Sequence, residues 1–188
     1  MVDFFVQGGG FMWPILIALL FGLAIIGERA YSLINSSSNT DQFFDDVKTI
    51  YDDSGKEQAI EFCENTQGPV ASIFYAGLSK MEKTKEEIEK AVQNAGGLEM
   101  AFLEKNMIWI NSVITIAPML GFTGTVVGMI KAFEDIKMAN DISPAVVAGG
   151  ISQALLTTAF GLIVAMIMQV AQNFFVSMID KLILDMEE

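Results

Sequence analysis

The stretch ISPAVVAGGISQALLTTAFGLIVAMIMQVAQNFFVSMI, residues 142–179, decides the fold because it contains no Asp, Glu, Lys or Arg. An uncharged apolar run of this length predicts a transmembrane helix, since a helix satisfies its own backbone hydrogen bonds in hydrocarbon. A helix over the whole run is roughly 57 Å long, whereas a hydrocarbon core is about 30 Å thick. We therefore expect the amide-bearing end, from Gln169 through Asn173, to protrude into water or headgroups.

The composition is typical of a membrane protein. Mean hydropathy is +0.46, and only 18% of the 188 residues are charged. The chain has no histidine and a single cysteine, Cys63, which argues against a zinc site, a disulfide framework and a Cys-His nucleophile. A net charge of −12 argues against nucleic acid as a partner. We expect neither an enzyme nor a cofactor.

Two further uncharged runs, 11–27 and 106–130, predict two more membrane spans. The first run lacks a basic segment before it and a small-x-small site after it, so we interpret it as a retained helix rather than a cleaved signal peptide. The expected organisation is an all-α membrane protein with these parts: an N-terminus and transmembrane helix 1 over 1–34, a cytoplasmic helical section over 35–105, transmembrane helix 2 over 106–133, a periplasmic hairpin over 134–143, and transmembrane helix 3 with a cytoplasmic extension over 144–188.

The section between the first two spans is predicted to be helical. Thr84 followed by Lys85, Glu86 and Glu87 is typical of a helix start, with acids in the first turn. From there the apolar spacing is compatible with one long helix into the membrane, and the Gly96-Gly97 pair leaves open whether that helix is unbroken.

The distribution of basic residues predicts the orientation. Three spans place the termini on opposite sides, and Lys and Arg mark the cytoplasmic side. The two sides carry these basic residues: Arg29, Lys48, Lys90, Lys105 and Lys181 among others on one, and only Lys131 and Lys137 on the other. The N-terminus is therefore expected in the periplasm and the C-terminus in the cytoplasm.

Polar side chains inside spans two and three predict a shared wet surface. Thr115 and Thr125 share one face of the second span, while Gln153 and Thr157 stack along the third, with Thr158 about 100° round. The Gln153 carboxamide has two donors and is costly against lipid. We expect these five residues to line a pore, although packing remains the alternative, because Thr hydroxyls in lipid often bond only their own backbone.

Two other features of these spans predict their packing. Small residues let helix backbones approach, so we expect close packing at four glycines: Gly121, Gly124, Gly128 and Gly161. Pro118 lies within the second span and is expected to kink it. Neither span holds a carboxylate, so if protons pass here, the group that binds them must come from another polypeptide.

Two stretches, IAPMLGFTGTVVGMIKAF (116–133) and GGISQALLTTAFGLIVAM (149–166), resemble the ExbB/TolQ/MotA proton-channel family, most closely its ExbB branch. The resemblance implies a ring of identical subunits, five in the ExbB type, around a single-span partner of the ExbD/TolR type that supplies a membrane Asp. Proton flow would then drive work on a protein of the TonB or TolA type. Thr125 and Thr158 match the pore-lining threonines of the family, whereas Gln153 stands where ExbB and TolQ proteins usually have Glu.

Two other functions are compatible with the same sequence. A self-sufficient ion channel or small-solute carrier would conduct without a partner. A membrane scaffold would use the 35–105 section to bind cytoplasmic proteins and would tolerate apolar replacements of its intramembrane polar residues.

Overall fold

The computed structural model describes residues 2–36, 40–139 and 144–187. These residues form eight helices: α1 (Val2–Gln7), α2 (Met12–Ser36), α3 (Thr40–Ser54), α4 (Lys56–Asn65), α5 (Pro69–Ser79), α6 (Lys85–Leu103), α7 (Met107–Ala139) and α8 (Pro144–Glu187). The all-helical architecture expected from the sequence is confirmed for the described part of the chain.

The chain divides into two compact units. The first, called the span unit here, comprises Met1–Gly27 and Asn106–Asn173. The second, called the helical unit, comprises Glu28–Lys105 and Phe174–Glu188. The boundaries fall inside α2 and α8, and between α6 and α7.

Three ranges contain a helical stretch long and apolar enough to cross a bilayer, namely Met12–Ser36, Lys85–Met138, which includes α6, most of α7 and the turn between them, and Ala148–Met186. Their large apolar side chains are widely exposed, as shown by Val170 at 72%, Phe122 at 67% and Ile17 at 65%. Helices that are apolar on their outer faces suit a lipid environment. The expectation of three membrane-crossing helices is therefore confirmed by length and composition.

The predicted hairpin at 134–143 begins later than expected, because α7 continues to Ala139. The residues KAFEDIKMA (131–139) are good helix formers without Gly or Pro, so charge marks the end of the apolar run but not the end of the helix. The remainder of the predicted hairpin, 140–143, lies outside the described residues. Pro118 lies inside the same helix, and its kink remains a prediction.

The sequence was compatible with one long helix from Thr84 into the second span, but in the structure this helix is interrupted. Gly96 and Gly97 remain within α6, which ends at Leu103, whereas α7 begins at Met107. Between them Asn106 adopts a left-handed backbone with φ of 65°. Asn tolerates this conformation better than most residues, so a non-glycine residue can terminate the helix here.

The helical unit has a small apolar core between α3, α4 and α5. Its buried members are Phe43, Val47, Cys63, Val70 and Ala71. The Phe43 ring centroid lies 5.8 Å from that of Phe62 and 5.7 Å from that of Phe74. Cys63 is a free thiol that is 2% exposed, and burial raises its pKa above the ordinary value.

The predicted helix start at Thr84 is confirmed. The Glu87 N–H donates to Thr84 Oγ1 at 3.4 Å, and the Thr84 N–H donates to Glu87 Oε2 at 3.1 Å, which together form a capping box. The Thr84 N–H lowers the pKa of Glu87. Nearby, a hydrogen bond from Lys56 to Glu82, 2.9 Å long, lowers the pKa of the Glu82 carboxyl.

Candidate functional site

The hydroxyls of Thr125 on α7 and Thr158 on α8 form a direct hydrogen bond between the two helices. Both side chains are half-buried. Thr125 Oγ1 also lies 3.2 Å from the carbonyl oxygens of Gly121 and Ala154, and Thr158 Oγ1 lies 3.2 Å from Gly121 O. We call these two residues the hydroxyl pair. It is a partly accessible polar point where the two helices meet.

Thr157 lies inside the α7–α8 contact rather than at its edge. Its side chain is 1% exposed, and its hydroxyl donates to Ala154 O at 2.8 Å and lies 3.4 Å from Gly121 O. A Cβ added to Gly124 would lie 2.7 Å from Thr157 Oγ1. In this chain Thr157 therefore packs the two helices together, and the structure does not place it beside the accessible faces of the hydroxyl pair.

Glycines permit the close approach of α7 and α8. A Cβ at Gly161 would lie 2.5 Å from Ala117 O, and one at Gly121 would lie 2.9 Å from Thr157 O. At Gly128 the nearest atom would be the Ala154 Cβ at 3.2 Å. The predicted close-packing residues thus lie where the two backbones nearly touch, and they bring the hydroxyl pair within bonding distance.

Gln153 lies one helical turn from Thr157 and is half-buried. Its Nε2 is so close to Gly9, in the glycine link between α1 and α2, that a Cβ on Gly9 would approach it to 2.0 Å. Gly9 also has a φ of 74°, so glycine is favoured here on both steric and backbone grounds. The carboxamide therefore meets the N-terminal link rather than the hydroxyl pair.

Thr115 is exposed and donates to Asn111 O at 3.0 Å, within its own helix. Pro118 is half-buried one turn beyond it on α7. Neither residue is in hydrogen-bonding contact with the hydroxyl pair. The pore-lining role of Thr115 remains a prediction that depends on what faces this surface in an assembly.

A buried arginine in the helical unit was not anticipated. Arg29 is 1% exposed and pairs with Glu28, with Nη2 2.5 Å from Oε1. Its Nη1 lies 3.4 Å from Phe102 O and 3.5 Å from Leu103 O, at the C-terminal end of α6. A guanidinium at a helix C-terminus is favoured by the helix dipole. The sequence signal was the isolated Glu28-Arg29 pair within an otherwise uncharged helix.

The chemistry available at the hydroxyl pair is hydrogen bonding without proton release. Threonine hydroxyls and backbone carbonyls stay neutral, so they can solvate an ion or an acid but do not hold a proton as a titrating side chain does. Among the described residues, no group of three or more His, Cys, Asp or Glu side chains is arranged to hold a metal ion.

The chain is similar to a family of membrane proteins. A family model described as the MotA/TolQ/ExbB proton channel family matches residues 65–188. A putative biopolymer transport protein, ExbB-like 3 of Synechocystis sp., is 29% identical over 91% of this chain and 82% of its own length. A putative biopolymer transport protein ExbB homolog of Methanothermobacter thermautotrophicus is 28% identical over 95% of this chain, which spans 64% of that protein. The Tol-Pal system protein TolQ of Pseudomonas aeruginosa is 28% identical over 61% of this chain and 54% of its own length.

Proposed function

We propose, because the chain belongs to the MotA/TolQ/ExbB proton channel family, that it is a channel and scaffold subunit of an ion-driven motor in the bacterial inner membrane. Several copies, five as in the ExbB type, form a ring in which α7 and α8 surround a central pore. A single-span partner of the ExbD/TolR type occupies the pore, and the ion gradient does work on a protein of the TonB or TolA type.

The hydroxyl pair is the observation that carries this proposal. Thr125 and Thr158 are half-buried and bonded to each other across two membrane-length helices. Holding an ionisable acid in a low-dielectric membrane is costly unless hydrogen-bonding groups surround it. The pair supplies such groups, and the partner supplies the carboxylate that these turns of α7 and α8 lack. Protons are the ion we propose.

The orientation follows from the basic residues. The helical unit lies in the cytoplasm, since its segments carry most of the Lys and Arg. The N-terminus and the end of α7 then lie on the periplasmic side. Protons enter from that side and move toward the cytoplasm past the hydroxyl pair.

The test removes each hydroxyl without changing side-chain shape. We expect Thr125→Val and Thr158→Val each to lower ion-driven activity at least tenfold when the chain is co-produced with its single-span partner, because the partner's acid loses a hydrogen-bonding group. Proton uptake into liposomes containing the purified complex, driven by a potassium diffusion potential, measures this directly.

Thr123→Val is the matched control. Thr123 is exposed on α7, and its hydroxyl donates only within its own helix, to Met119 O at 2.8 Å. Its replacement should leave proton uptake unchanged. Full activity in both Thr125→Val and Thr158→Val would overturn the proposal. Proton flux through the purified chain alone, equal to that with the partner, would instead support a self-sufficient channel.

A further inference from the structure

A cavity of about 350 Å³ lies between the end of α7 and the beginning of α8 in the span unit. It is lined by Gly128, Lys131, Ala132, Asp135, Gly149, Gly150 and Gln153. This is far more than the space of roughly 10–15 Å³ that a single water molecule needs. Its walls carry both polar and apolar atoms, so water within it finds hydrogen-bonding partners.

The helix spacing explains why these residues meet. On α7, Gly128, Lys131 and Asp135 follow one another at intervals of three and four residues and so share one face. On α8, Gly149 and Gly150 lie four and three residues before Gln153, so each is a helical neighbour of Gln153. The helices touch at Gly150, where an added Cβ would lie 2.3 Å from the Ala132 Cβ, and the glycines around this contact leave the space that forms the cavity.

Charged side chains of α7 and a polar side chain of α8 line this one cavity. Lys131 contributes an ammonium and Asp135 a carboxylate, so together they add no net charge. Gln153 lies on the same cavity, and the next residue, Ala154, offers its carbonyl to Thr125 Oγ1 at 3.2 Å. The cavity therefore ends one residue before a carbonyl group that the hydroxyl pair contacts.

We propose that this cavity is the aqueous vestibule through which cations reach the hydroxyl pair. The Asp135 carboxylate attracts cations into the vestibule, and it offsets the repulsion that the Lys131 ammonium exerts on them. The direction in which ions move rests on the proposed function. The proposals that water fills the cavity and that Asp135 and Lys131 determine its charge do not depend on that function. Removing Asp135 leaves the Lys131 charge unopposed and repels cations. Removing Lys131 has the opposite effect.

The vestibule can be probed with thiol reagents of opposite charge. In a Cys63→Ala background, Gly149→Cys places a thiol on the cavity at a position where an added Cβ meets nothing within 4 Å, and Gln153→Cys places one on α8 a turn further along. Both should react with the positively charged MTSET and the negatively charged MTSES in lipid nanodiscs. Thr157→Cys, at a position 1% exposed, should react at least tenfold more slowly than either.

The ratio of the MTSET rate to the MTSES rate reports the charge of the cavity. The cube root of its volume gives a span of about 7 Å, and at that distance one unit charge in a water-like dielectric changes each rate about threefold. Asp135→Asn should therefore lower the ratio about ninefold at low ionic strength, and Lys131→Gln should raise it by a similar factor. The double variant should return close to the starting ratio.

Neighbouring charges provide matched controls. Glu134 and Lys137 are exposed on the same helix and do not line the cavity, so Glu134→Gln and Lys137→Gln should change the ratio clearly less than Asp135→Asn and Lys131→Gln do. In the complex with its partner, Asp135→Asn should lower proton uptake about threefold, while Glu134→Gln leaves it unchanged.

Two results would overturn the inference. Reaction of Gln153→Cys as slow as that of Thr157→Cys would mean that water does not fill the cavity. An equal response of the ratio to Asp135→Asn and Glu134→Gln would mean that Asp135 acts only through the diffuse field of the surface. Neither result bears on the hydroxyl pair, whose failure is detected separately by undiminished proton uptake in the Thr125→Val and Thr158→Val variants.

Discussion

Gly161→Ala is expected to destabilise the α7–α8 contact, because the added methyl group meets backbone that cannot move aside. The new Cβ would lie 2.5 Å from the Ala117 carbonyl oxygen and 3.2 Å from the Gly121 Cα. An ordinary contact between such atoms is no shorter than about 3.2 Å, so the helices must separate locally by roughly 0.7 Å. Overpacking of this kind costs about 1–3 kcal/mol.

The same substitution also raises helix propensity, and this gain offsets part of the cost of the clash. Replacing Gly with Ala within a helix favours the helix by about 1 kcal/mol. Gly161→Ala should therefore be destabilising by up to about 2 kcal/mol, which corresponds to a thermal midpoint lower by up to about 8 °C for a chain of this size. Gly149→Ala keeps the gain without the clash, since a Cβ there meets nothing within 4 Å, and its midpoint should be unchanged or higher.

Thermal unfolding of the purified chain in detergent, followed by tryptophan fluorescence, ranks the variants. The expected order of midpoints is Gly149→Ala, then Gly128→Ala, with its nearest contact at 3.2 Å, then Gly161→Ala. Proton uptake should decrease along the same series, since separation of the helices lengthens the hydrogen bond of the hydroxyl pair. A midpoint for Gly161→Ala as high as that for Gly149→Ala would refute the close-packing argument.

Two further predictions concern the helical unit. Arg29→Met should lower the thermal midpoint of the helical unit by about 4–12 °C, since it removes about 2–3 kcal/mol of charge-assisted hydrogen bonding to the end of α6. The control Lys48→Met removes an exposed charge from the same unit and should have little effect. Equal midpoints for the two variants would contradict the role of Arg29. Cys63 should be alkylated slowly by iodoacetamide at neutral pH and rapidly after unfolding in urea, because the thiolate is the reactive form and burial raises the pKa of the thiol. Since the pKa is higher in the folded chain than in the unfolded chain, the free energy of unfolding should fall as pH rises above about 9. Prompt labelling of the native chain at pH 7 would contradict the burial of this thiol.

The helices could be predicted where a local signal exists. Uncharged runs identify the spans because water-free surroundings exclude charge, and the Thr84 cap identifies the start of α6 because its hydrogen bonds lie within four residues. The ends of α7 carry weaker signals. Lys131 marks the end of the apolar run, but the residues after it favour helix, so α7 continues to Ala139.

The break between α6 and α7 could not be predicted from glycine content. Gly96 and Gly97 are the weaker helix formers, yet they remain helical, and the chain turns at Asn106 with a positive φ. A glycine costs a helix only about 1 kcal/mol, which packing readily offsets. Asn106 adjoins the boundary between the two compact units, and the tolerance of Asn for a positive φ allows the helix to end there.

At the candidate site, helical spacing alone separated Thr157 from Thr158 by about 100° but could not say which of them faces α7. Contacts from the neighbouring helix decide it. The rotation of α8 is fixed by two contacts, that of Gly161 with Ala117 and that of Gly124 with Thr157. This rotation buries Thr157 and leaves Thr158 at the edge beside Thr125. Position in the sequence identifies the polar residues, but only the pairing of two helices assigns them different roles.

The same pairing connects packing with function. Thr125, Thr157 and Thr158 all lie within 3.4 Å of the Gly121 carbonyl oxygen, and that oxygen is reachable only because Gly121 and Gly161 have no side chains to hold the helices apart. Thr157 contacts this carbonyl from the buried side of the helix pair. The lone pairs that the Thr125 and Thr158 hydroxyls do not use in these bonds are left on the accessible side. The carboxyl proton of an acid carried by another polypeptide would then meet acceptor oxygens that are already positioned. The subunit would assist proton transfer without holding the proton itself.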